Sequence, residues 1–214
     1  MSTAVIGVGN IGGTVARHLV AGGEPVVVAS QDESRSSALA GSLGSLGRAA
    51  TVGDALASAD TVVLALWLPA MREVIASNGT GLEGKVVIDP SNPVGYDASG
   101  VPMRTLPEGQ SAGSLVASLI PASAHYAKAF GTLGAGDLAT SANRQPRRAV
   151  LFYATDDAVA QTAVERLIVA AGFDPLKVGG VADAWRIEVP GGDLQGGLFD
   201  ADEAAAKVAS GGLS

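Results

Sequence analysis

Three glycines near the start of the chain have a spacing that can hold a phosphate group. The segment Gly7-Val8-Gly9-Asn10-Ile11-Gly12 follows a short apolar run and opens an amphipathic helical pattern. Gly7 permits a tight turn, Gly9 leaves space for a ligand, and Gly12 lets the helix pack closely on the strand. The first N–H groups of that helix and its dipole attract an anion. The segment predicts a site for the pyrophosphate of a dinucleotide, with a merely tight strand-to-helix turn as the alternative.

The end of the second predicted strand indicates which dinucleotide is bound. Ser30 and Gln31 stand where NAD-binding proteins place an acidic residue for the ribose hydroxyls, and Arg35 follows about one helical turn later. A neutral hydroxyl tolerates a 2′-phosphate and a nearby arginine can neutralise it, whereas Asp32 and Glu33 favour a free ribose. The pattern favours NADP over NAD, and a solvated turn with a helix cap is the alternative.

Few side chains could supply a proton to a reacting substrate. The candidates are His125, Tyr126, Asp137 and Asp183. His125 and Tyr126 stand at the start of a predicted strand, where they can simply pack or face solvent, and Asp183 is expected to cap the helix through Trp185. Because these residues form no acid–base constellation, no catalytic side chain is assigned with certainty.

Two other features each allow two interpretations. Trp67 comes just past the carboxyl end of a strand, where an indole either lines a cofactor crevice or packs beneath the next helix. Arg144, Arg147 and Arg148 form the one basic cluster of the sequence. The cluster either grips an anionic substrate or forms a solvated loop that balances an acidic protein.

The composition narrows the class of protein. The chain has 214 residues, no cysteine, two histidines and a formal net charge of −7. Without cysteine there is no disulfide, thiolate nucleophile or thiolate-bound metal, and the negative charge disfavours binding to nucleic acid. The sequence has no apolar run long enough to span a membrane and no signal-peptide pattern. We therefore expect a cytoplasmic protein that binds small-molecule cofactors and no metal, nucleic acid or membrane.

Short β-branched runs alternate with longer helical patterns along the chain, which is typical of a doubly wound sheet. Most of these runs are continuously apolar, as in parallel strands covered on both faces. We predict an α/β Rossmann fold with a mainly parallel sheet, as a single domain over residues 1–190, followed by a tail or dimer arm over residues 191–214. The predicted strands are Ala4–Val8, Val26–Ser30, Thr61–Leu66, Lys85–Asp89, Tyr126–Phe130, Ala149–Ala154 and Leu176–Val178, with a weaker one at Ala49–Val52.

Three stretches rich in glycine, serine and proline interrupt this alternation, at Gly41–Gly47, Asp89–Gly113 and Pro190–Ser214. Asp89–Gly113 is predicted to be a long loop at the carboxyl end of a strand, where sheets of this type bind ligands. Near the end of the chain, Asp200–Ala209 carries a short helical pattern between glycines. Since Rossmann enzymes of this size often pair, we expect a homodimer, with the tail as a candidate arm.

Five segments of the chain, taken in order, resemble one family. They are Gly7–Gly13, Val26–Ser30, Ile88–Pro93, Lys128–Leu133 and Ala182–Arg186. They are similar to the NADP oxidoreductase, coenzyme F420-dependent family, also called F420:NADPH oxidoreductases, and the resemblance covers roughly residues 3–190. It implies an enzyme in which NADP and the deazaflavin coenzyme F420 meet in a cleft at the carboxyl edge of the sheet.

The resemblance also implies which residues contact the cofactors. Ser30 and Gln31 fall where the family grips the 2′-phosphate, often with Ser-Arg, so Gln31 departs from that pattern. Leu66–Pro69 would lie beside the adenosine ribose and pyrophosphate, and Asn92-Pro93 would border the nicotinamide. Phe130–Leu133 would form the floor under the second ring system.

One departure from the family bears on the substrate. Gly131 stands where related sequences usually carry Asn or His, and its missing side chain is expected to enlarge the pocket and to remove a polar contact to the bound ring. The predicted cofactor-binding residues are Gly7, Gly9, Asn10, Ile11, Gly12, Ser30, Gln31, Arg35, Leu66, Trp67, Leu68, Asn92, Pro93, Phe130 and Thr132.

Three functions remain open on the sequence. Hydride transfer between NADP(H) and F420 is the leading hypothesis, because transfer between two cofactors asks little of protein side chains. An NADPH-dependent reductase of a small carbonyl, imine or metal chelate is the second, and it would need a proton donor near the substrate. A non-catalytic module that senses NADP is the third.

Overall fold

The computed structural model describes residues 2–211, so Met1 and the predicted tail residues 212–214 lie outside the described part of the chain. Its strands are β1 (Thr3–Ile6), β2 (Val26–Ala29), β3 (Gly47–Ala49), β4 (Thr61–Leu64), β5 (Val86–Asp89), β6 (Val94–Tyr96), β7 (Pro102–Arg104), β8 (His125–Ala129), β9 (Val150–Ala154) and β10 (Asp174–Gly179). Eight of them form one sheet in the order β10-β9-β8-β5-β4-β1-β2-β3. Neighbours in this sheet are parallel, except that β8 and β9 are antiparallel. The predicted α/β Rossmann fold with a mainly parallel sheet is confirmed.

Helices cover both faces of the sheet. They are α1 (Asn10–Ala21), α2 (Glu33–Ser42), α3 (Val52–Ser58), α4 (Leu68–Asn78), α5 (Ala112–Leu119), α6 (Ala135–Thr140), α7 (Ala158–Ala170) and α8 (Ala201–Ser210), with 3₁₀ turns at Gly44–Leu46, Gly79–Leu82 and Val181–Ile187. Helices α1, α2, α6 and α7 share one apolar cluster, and α3, α4 and α5 share another on the opposite face. None of the helices in the described residues is long and apolar enough to cross a membrane.

The central strands are apolar throughout because both of their faces are buried. Along β1, Val5 belongs to the cluster on one face, whereas Ala4 and Ile6 belong to the cluster on the other. This alternation follows from the two-residue period of a strand. Each valine or isoleucine side chain removed from water contributes about 1.5–3 kcal/mol to the stability of the fold. The two clusters together therefore hold in place the strand ends that carry the site.

The predicted strands correspond to observed ones, but several predicted ends extend one or two residues too far. Val8, Ser30 and Phe130 lie past the strands, in the turns that follow them. The weak strand predicted at Ala49–Val52 is shifted, because β3 ends at Ala49. Thr51 accepts a hydrogen bond from the Asp54 N–H and so caps α3, which removes residues 51 and 52 from the strand.

The sequence predicted a long loop over Asp89–Gly113. The structure instead has two strands and the start of a helix in this stretch. Strands β6 and β7 pair antiparallel within it and form a hairpin outside the main sheet. Helix α5 then begins at Ala112. This hairpin stands beside the carboxyl end of β5, so it adds a wall next to the edge where ligands bind.

The last part of the described chain, up to α8, packs onto the β10 side of the sheet. Leu194 and Ala204 are fully buried in a small cluster with Phe152 of β9. Arg186 ties this region together, since its Nη2 donates to Asp193 at 2.9 Å and to a carbonyl of α8 at 3.2 Å. The predicted short helix near the end of the chain is present as α8.

Candidate functional site

The glycine-rich turn between β1 and α1 lies at the carboxyl edge of the sheet, beside the end of β4. Gly7 has a φ of +96°, which suits glycine and few other residues. A Cβ on Gly7 would collide with the carbonyl of Ala65, and a Cβ on Gly12 would overlap the Gly7 carbonyl. A Cβ on Gly9 would meet nothing within 4 Å. The fold therefore requires two of the three glycines, whereas Gly9 leaves open space above the turn.

Helix α1 begins without a side-chain cap and has no acidic residue in its first turn. By contrast, α2, α7 and α8 begin with Asp32, Asp157 and Asp200, whose carboxylates accept hydrogen bonds from the first N–H groups. The start of α1, with Asn10 exposed, thus offers N–H groups that have no partner within the helix and a positive dipole end. This is the environment that a bound pyrophosphate requires.

A cleft of about 400 Å³ opens above this turn, at the ends of β1, β4 and β5. It brings together residues that the sequence predicted for different parts of a dinucleotide. The predicted residues that line it are Gly9, Asn10, Ile11, Arg35, Leu66, Trp67 and Asn92, and Ala65, Pro90 and Val94 complete the lining. One cleft therefore runs from the turn after β2 to the loop after β5.

Two arginines line a cavity that adjoins this cleft. Arg35 lines both the cleft and a neighbouring cavity of about 430 Å³ at the start of α1, and Arg17 lines that cavity as well. The Nη1 atom of Arg17 lies 3.3 Å from the place that a Cβ of Gly13 would occupy, so the guanidinium lies over that glycine. Within residues 2–211, neither arginine has a carboxylate oxygen within 4 Å. The sequence analysis missed Arg17, although a glycine four residues before an arginine on a helix was a usable signal.

The acidic side chain of Asp32, in the turn after β2, caps α2 and does not line the cleft. Asp32 accepts hydrogen bonds from the N–H and the hydroxyl of Ser34 at 3.0 and 2.6 Å. The Ser34 hydroxyl chiefly lowers the pKa of the Asp32 carboxyl, which stays charged within the helix cap. Ser30 donates its hydroxyl to the Asp32 carbonyl at 2.7 Å. Ser30 and the exposed Gln31 stand beside the cleft and do not line it.

Asn92 joins three segments of the chain at the other end of the cleft. Its Nδ2 donates to the Gly131 carbonyl at 2.7 Å, and its Oδ1 accepts from the Val189 N–H at 2.9 Å. Phe130 is fully buried with a φ of +65°, a strained conformation for a bulky residue. Thr132 is buried as well. The residues predicted to lie under a second ring therefore support the cleft from beneath and expose almost no surface to it.

The expectation that Gly131 enlarges the pocket is wrong. A Cβ at this position would collide with the Pro90 carbonyl and lie 3.3 Å from Nδ2 of Asn92. The loop after β5 fills the space beside the glycine, so Gly131 permits two segments to approach closely. Pro93 is buried next to this contact, and Leu68 lines a different cavity that is described below.

A buried charged cluster lies behind the loop after β5, and the sequence analysis missed it. Lys128, 1% exposed, donates to Oδ2 of Asp89 at 3.1 Å and to the carbonyl of Ser91. Its Nζ also lies 3.9 Å from Oε1 of Glu188. A lysine inside an otherwise apolar strand was the signal for this cluster, because an isolated buried charge is too costly to leave unpaired. The cluster fixes the loop that carries Asn92.

The same cluster links the end of the chain to α5. The Glu188 carboxylate accepts hydrogen bonds from the N–H groups of Ala112 and Gly113 at 3.0 and 2.7 Å. The Tyr126 hydroxyl donates to Asp89 at 2.7 Å. Burial raises the pKa of the Tyr126 phenol well above its ordinary value, and the Asp89 charge adds to this effect. Tyr126 therefore stays neutral in a structural hydrogen bond.

None of the four predicted proton donors lines the cleft. His125 contacts Asp157 at 2.7 Å at the amino edge of the sheet, opposite the glycine-rich turn. Tyr126 is buried, and Asp137 is exposed on α6. Asp183 accepts a hydrogen bond at 2.9 Å from a backbone N–H at the start of the last 3₁₀ turn, the capping role predicted for it. The site has no acid–base pair aimed into the cleft within the described residues.

The two ambiguous features of the sequence have different outcomes. Trp67 is 57% exposed and lines the cleft, as the first of its two interpretations held. Arg147 contacts Asp202 and Asp200 at the start of α8, at 2.6 and 3.2 Å. One arginine of the basic cluster is therefore engaged by the acidic start of a helix on the β10 side of the sheet, and Arg144 donates to the Arg147 carbonyl at 3.2 Å. Within the described residues, no group of three or more acidic or histidine side chains could hold a metal ion.

The sheet order, the uncapped start of α1 and the cleft above it define a dinucleotide-binding protein of the Rossmann class. Residues 2–93 match the family described as NADP oxidoreductase, coenzyme F420-dependent. The match covers fewer than half of the 214 residues, and it confirms the resemblance over this part of the chain.

Two solved structures and one curated relative extend the comparison. The hypothetical protein SMa0349 from Sinorhizobium meliloti has a TM-score of 0.83 at 28% identity, over 94% of this chain and 96% of that one. A structure assigned as an F420-dependent NADP reductase from Arthrobacter sp. FB24 has a TM-score of 0.74 at 23% identity, over 86% and 87% of the two chains, and supports the fold. The Metalloreductase STEAP3 of Rattus norvegicus is 30% identical over 184 residues, which are 86% of this chain. The chain spans about a third (35%) of the length of that metalloreductase.

Proposed function

We propose that this protein transfers hydride between NADP(H) and the deazaflavin coenzyme F420. The observation that carries the proposal is the lining of the cleft, in which Arg35 is the one ionisable side chain among the described residues. Reduction of a carbonyl or an imine needs a proton donor beside the substrate heteroatom. Exchange between two ring cofactors needs mainly orientation and a dry cleft, and this lining provides no more than that.

The residues of the cleft fit a bound dinucleotide. The uncapped N–H groups at Asn10 and Ile11 would hold the pyrophosphate, and Arg35 would pair with the 2′-phosphate at the far end. Asn92 would border the nicotinamide, with its amide already fixed by two hydrogen bonds. When bound, NADPH supplies a hydride that the deazaflavin accepts at a ring carbon, while solvent supplies the accompanying proton.

Mixing the purified protein with NADPH and oxidised F420 tests this proposal directly. We expect the absorbance of the oxidised deazaflavin to fall in step with NADPH oxidation, one equivalent for one. The control omits NADPH, and a second control replaces it with NADH. An unchanged deazaflavin band in the complete mixture would contradict the proposed acceptor.

The two arginines in the cavity beside the cleft allow a prediction about the preference for NADPH over NADH. Replacing Arg35 by alanine is expected to weaken NADPH binding by roughly tenfold or more, since a charge-assisted hydrogen bond is worth about 1.5–3 kcal/mol. Arg17→Ala is expected to act in the same direction with a smaller effect. Neither change should alter the affinity for NADH, which has no 2′-phosphate. Calorimetric titration with NADPH and NADH measures all of these affinities.

Arg48→Ala is the matched control for this experiment. Arg48 is an exposed arginine on β3 that lines neither cavity, so its removal changes the net charge equally. We expect its affinity for NADPH to match that of the unchanged protein. Equal losses for NADPH and NADH in the Arg17 variant would place that guanidinium at the pyrophosphate instead.

A second function is favoured by the curated relative, whose name describes a metalloreductase. An NADPH-dependent reductase of a metal chelate or of another small substrate would use the same dinucleotide cleft. Tyr126 and Asp183 are held in structural hydrogen bonds away from the cleft, so they do not supply the proton that a carbonyl or imine substrate needs. Assaying NADPH oxidation with a ferric chelate in place of F420 distinguishes the two acceptors.

A further inference from the structure

A second cavity adjoins the dinucleotide cleft. It has a volume of about 380 Å³, and Trp67 and Val94 line both spaces. The start of α4, the β6–β7 hairpin and α5 enclose it. We call this space the apolar chamber, and its lining residues are Trp67, Leu68, Pro69, Val94, Gly95, Tyr96, Thr105, Leu106 and Leu115.

The walls of the apolar chamber contain no acidic, basic or histidine side chain. The polar side chains in its lining are the phenol of Tyr96 and the hydroxyl of Thr105, and the rest is aliphatic or aromatic. Such a lining favours an uncharged, apolar ligand. Its volume falls in the range of small-molecule pockets, about 300–1,000 Å³, so the chamber has room for a ring system.

Two exposed aromatic residues line the chamber, and one of them, Trp67, also lines the cleft. Trp67 and Tyr96 are 57% and 60% exposed, with ring centroids 6.2 Å apart and ring planes at 74°. This edge-to-face arrangement holds the two rings against each other. A ring face that stays open to solvent on a large aromatic side chain is available for stacking on a ligand.

The residues that the family resemblance places beneath a second ring system are not accessible to a ring in this structure. Phe130–Leu133 are all buried, and the loop after β5 covers Gly131. The apolar space that borders the cleft is the chamber. We infer that the planar ring system of the hydride acceptor enters the apolar chamber against Trp67 and Tyr96, with any anionic part of that molecule outside in solvent. The inference rests on the proposed function, because it places the acceptor of that reaction.

The two tryptophans of the chain allow a direct binding test. Trp185 lies outside the chamber and the cleft, so W185F leaves Trp67 as the single reporter. We expect oxidised F420, added to protein saturated with NADP⁺, to quench the emission of W185F after correction for inner-filter absorbance. The emission of W67F, which retains Trp185, is expected to change far less. Equal quenching in both variants would overturn the inference.

Steady-state kinetics on the hairpin give a second test. Tyr96→Ala is expected to raise the KM for F420 by roughly tenfold through lost stacking, with the KM for NADPH unchanged. Tyr96→Phe should retain the KM of the unchanged protein, because the ring face remains. Val101→Ala is the matched control, since Val101 is an exposed apolar residue of the same hairpin that does not line the chamber.

The outcomes separate this inference from the proposed function. If the unchanged protein reduces F420 and Tyr96→Ala does so with the same KM, the chamber assignment is wrong and the proposed function stands. If the unchanged protein does not reduce F420, the proposed function fails. Comparing the quenching of W185F with that of W185F carrying Tyr96→Ala still decides whether the chamber binds the ring, because Tyr96 lines the chamber and not the cleft. A Tyr96→Ala variant with unchanged kinetics that shifts from dimer to monomer in sedimentation would identify the hairpin as a subunit interface and overturn the inference.

Discussion

Replacing Gly12 by alanine is expected to destabilise the folded protein by at least ~3 kcal/mol, because overlap with backbone exceeds ordinary overpacking of a core. The added Cβ would overlap the Gly7 carbonyl and lie 2.8 Å from the Cβ of Ala65. Helix α1 would have to move away from β1 and β4, and its N–H groups would leave the cleft with it. Chemical denaturation measures the loss in the free energy of unfolding, and calorimetry measures the accompanying loss of NADPH binding.

Gly9→Ala is the matched control, because it adds the same methyl group to the same turn at a position with open space around it. Gly9 has φ −73° and ψ −163°, which any residue adopts, and its Cβ would meet nothing within 4 Å. We expect the free energy of unfolding to stay within ~0.5 kcal/mol of the original. NADPH binding is nevertheless expected to weaken on the order of tenfold, since the methyl group would occupy the approach of the pyrophosphate. Equal stability of the Gly12 and Gly9 variants would contradict this account of the turn.

Lys128→Met is expected to cost about 3–5 kcal/mol of stability, the range for removing one partner of a buried ion pair. Asp89 and Glu188 are fully buried, and Lys128 is the cation that contacts both of them. Its loss leaves two buried carboxylates without that cation. Because the cluster fixes the loop that carries Asn92, we also expect slower hydride transfer. Urea denaturation and stopped-flow kinetics measure the two effects.

Lys177→Met is the control for the loss of stability that follows from replacing a lysine by methionine at an exposed position. Lys177 is exposed on β10, and its Nζ contacts a glutamine side chain at 3.0 Å. Exposed polar contacts of this kind contribute little, so we expect a change within ~0.5 kcal/mol. A Lys128→Met protein as stable as the Lys177 variant would show that the buried cluster is not held by its charges.

Much of the fold follows from patterns that act over a few residues. Apolar runs such as Val26–Ala29 predict buried parallel strands, because strands covered on both faces have no polar side. The helical pattern at Asp200–Ala209 predicts a short helix for an equally local reason, and α8 is present there. The hairpin at residues 94–104 escaped prediction because its short strands pair outside the main sheet and are largely exposed, so they carry no strong hydrophobic period.

The parts of the candidate site that a single turn of the chain forms could be predicted from the sequence. The parts that form where distant segments meet could not. The glycine spacing indicates a phosphate cradle without any knowledge of neighbours. The role of Gly131 was misjudged, because the carbonyl of Pro90, some forty residues earlier in the chain, decides it. Arg17 was overlooked for a similar reason, since its value depends on its sharing a cavity with Arg35.

By itself the sequence determined the alternation of strands and helices, the uncapped glycine-rich turn and the absence of cysteine chemistry. These depend on backbone freedom, residue type and periodicity, which are properties of short segments. Only the tertiary structure decided that Lys128 neutralises buried carboxylates, that Phe130 lies beneath the cleft and that a hairpin encloses an apolar chamber beside it. The physical reason is that burial and charge pairing arise between residues far apart in the chain, and a linear pattern does not record which of them meet.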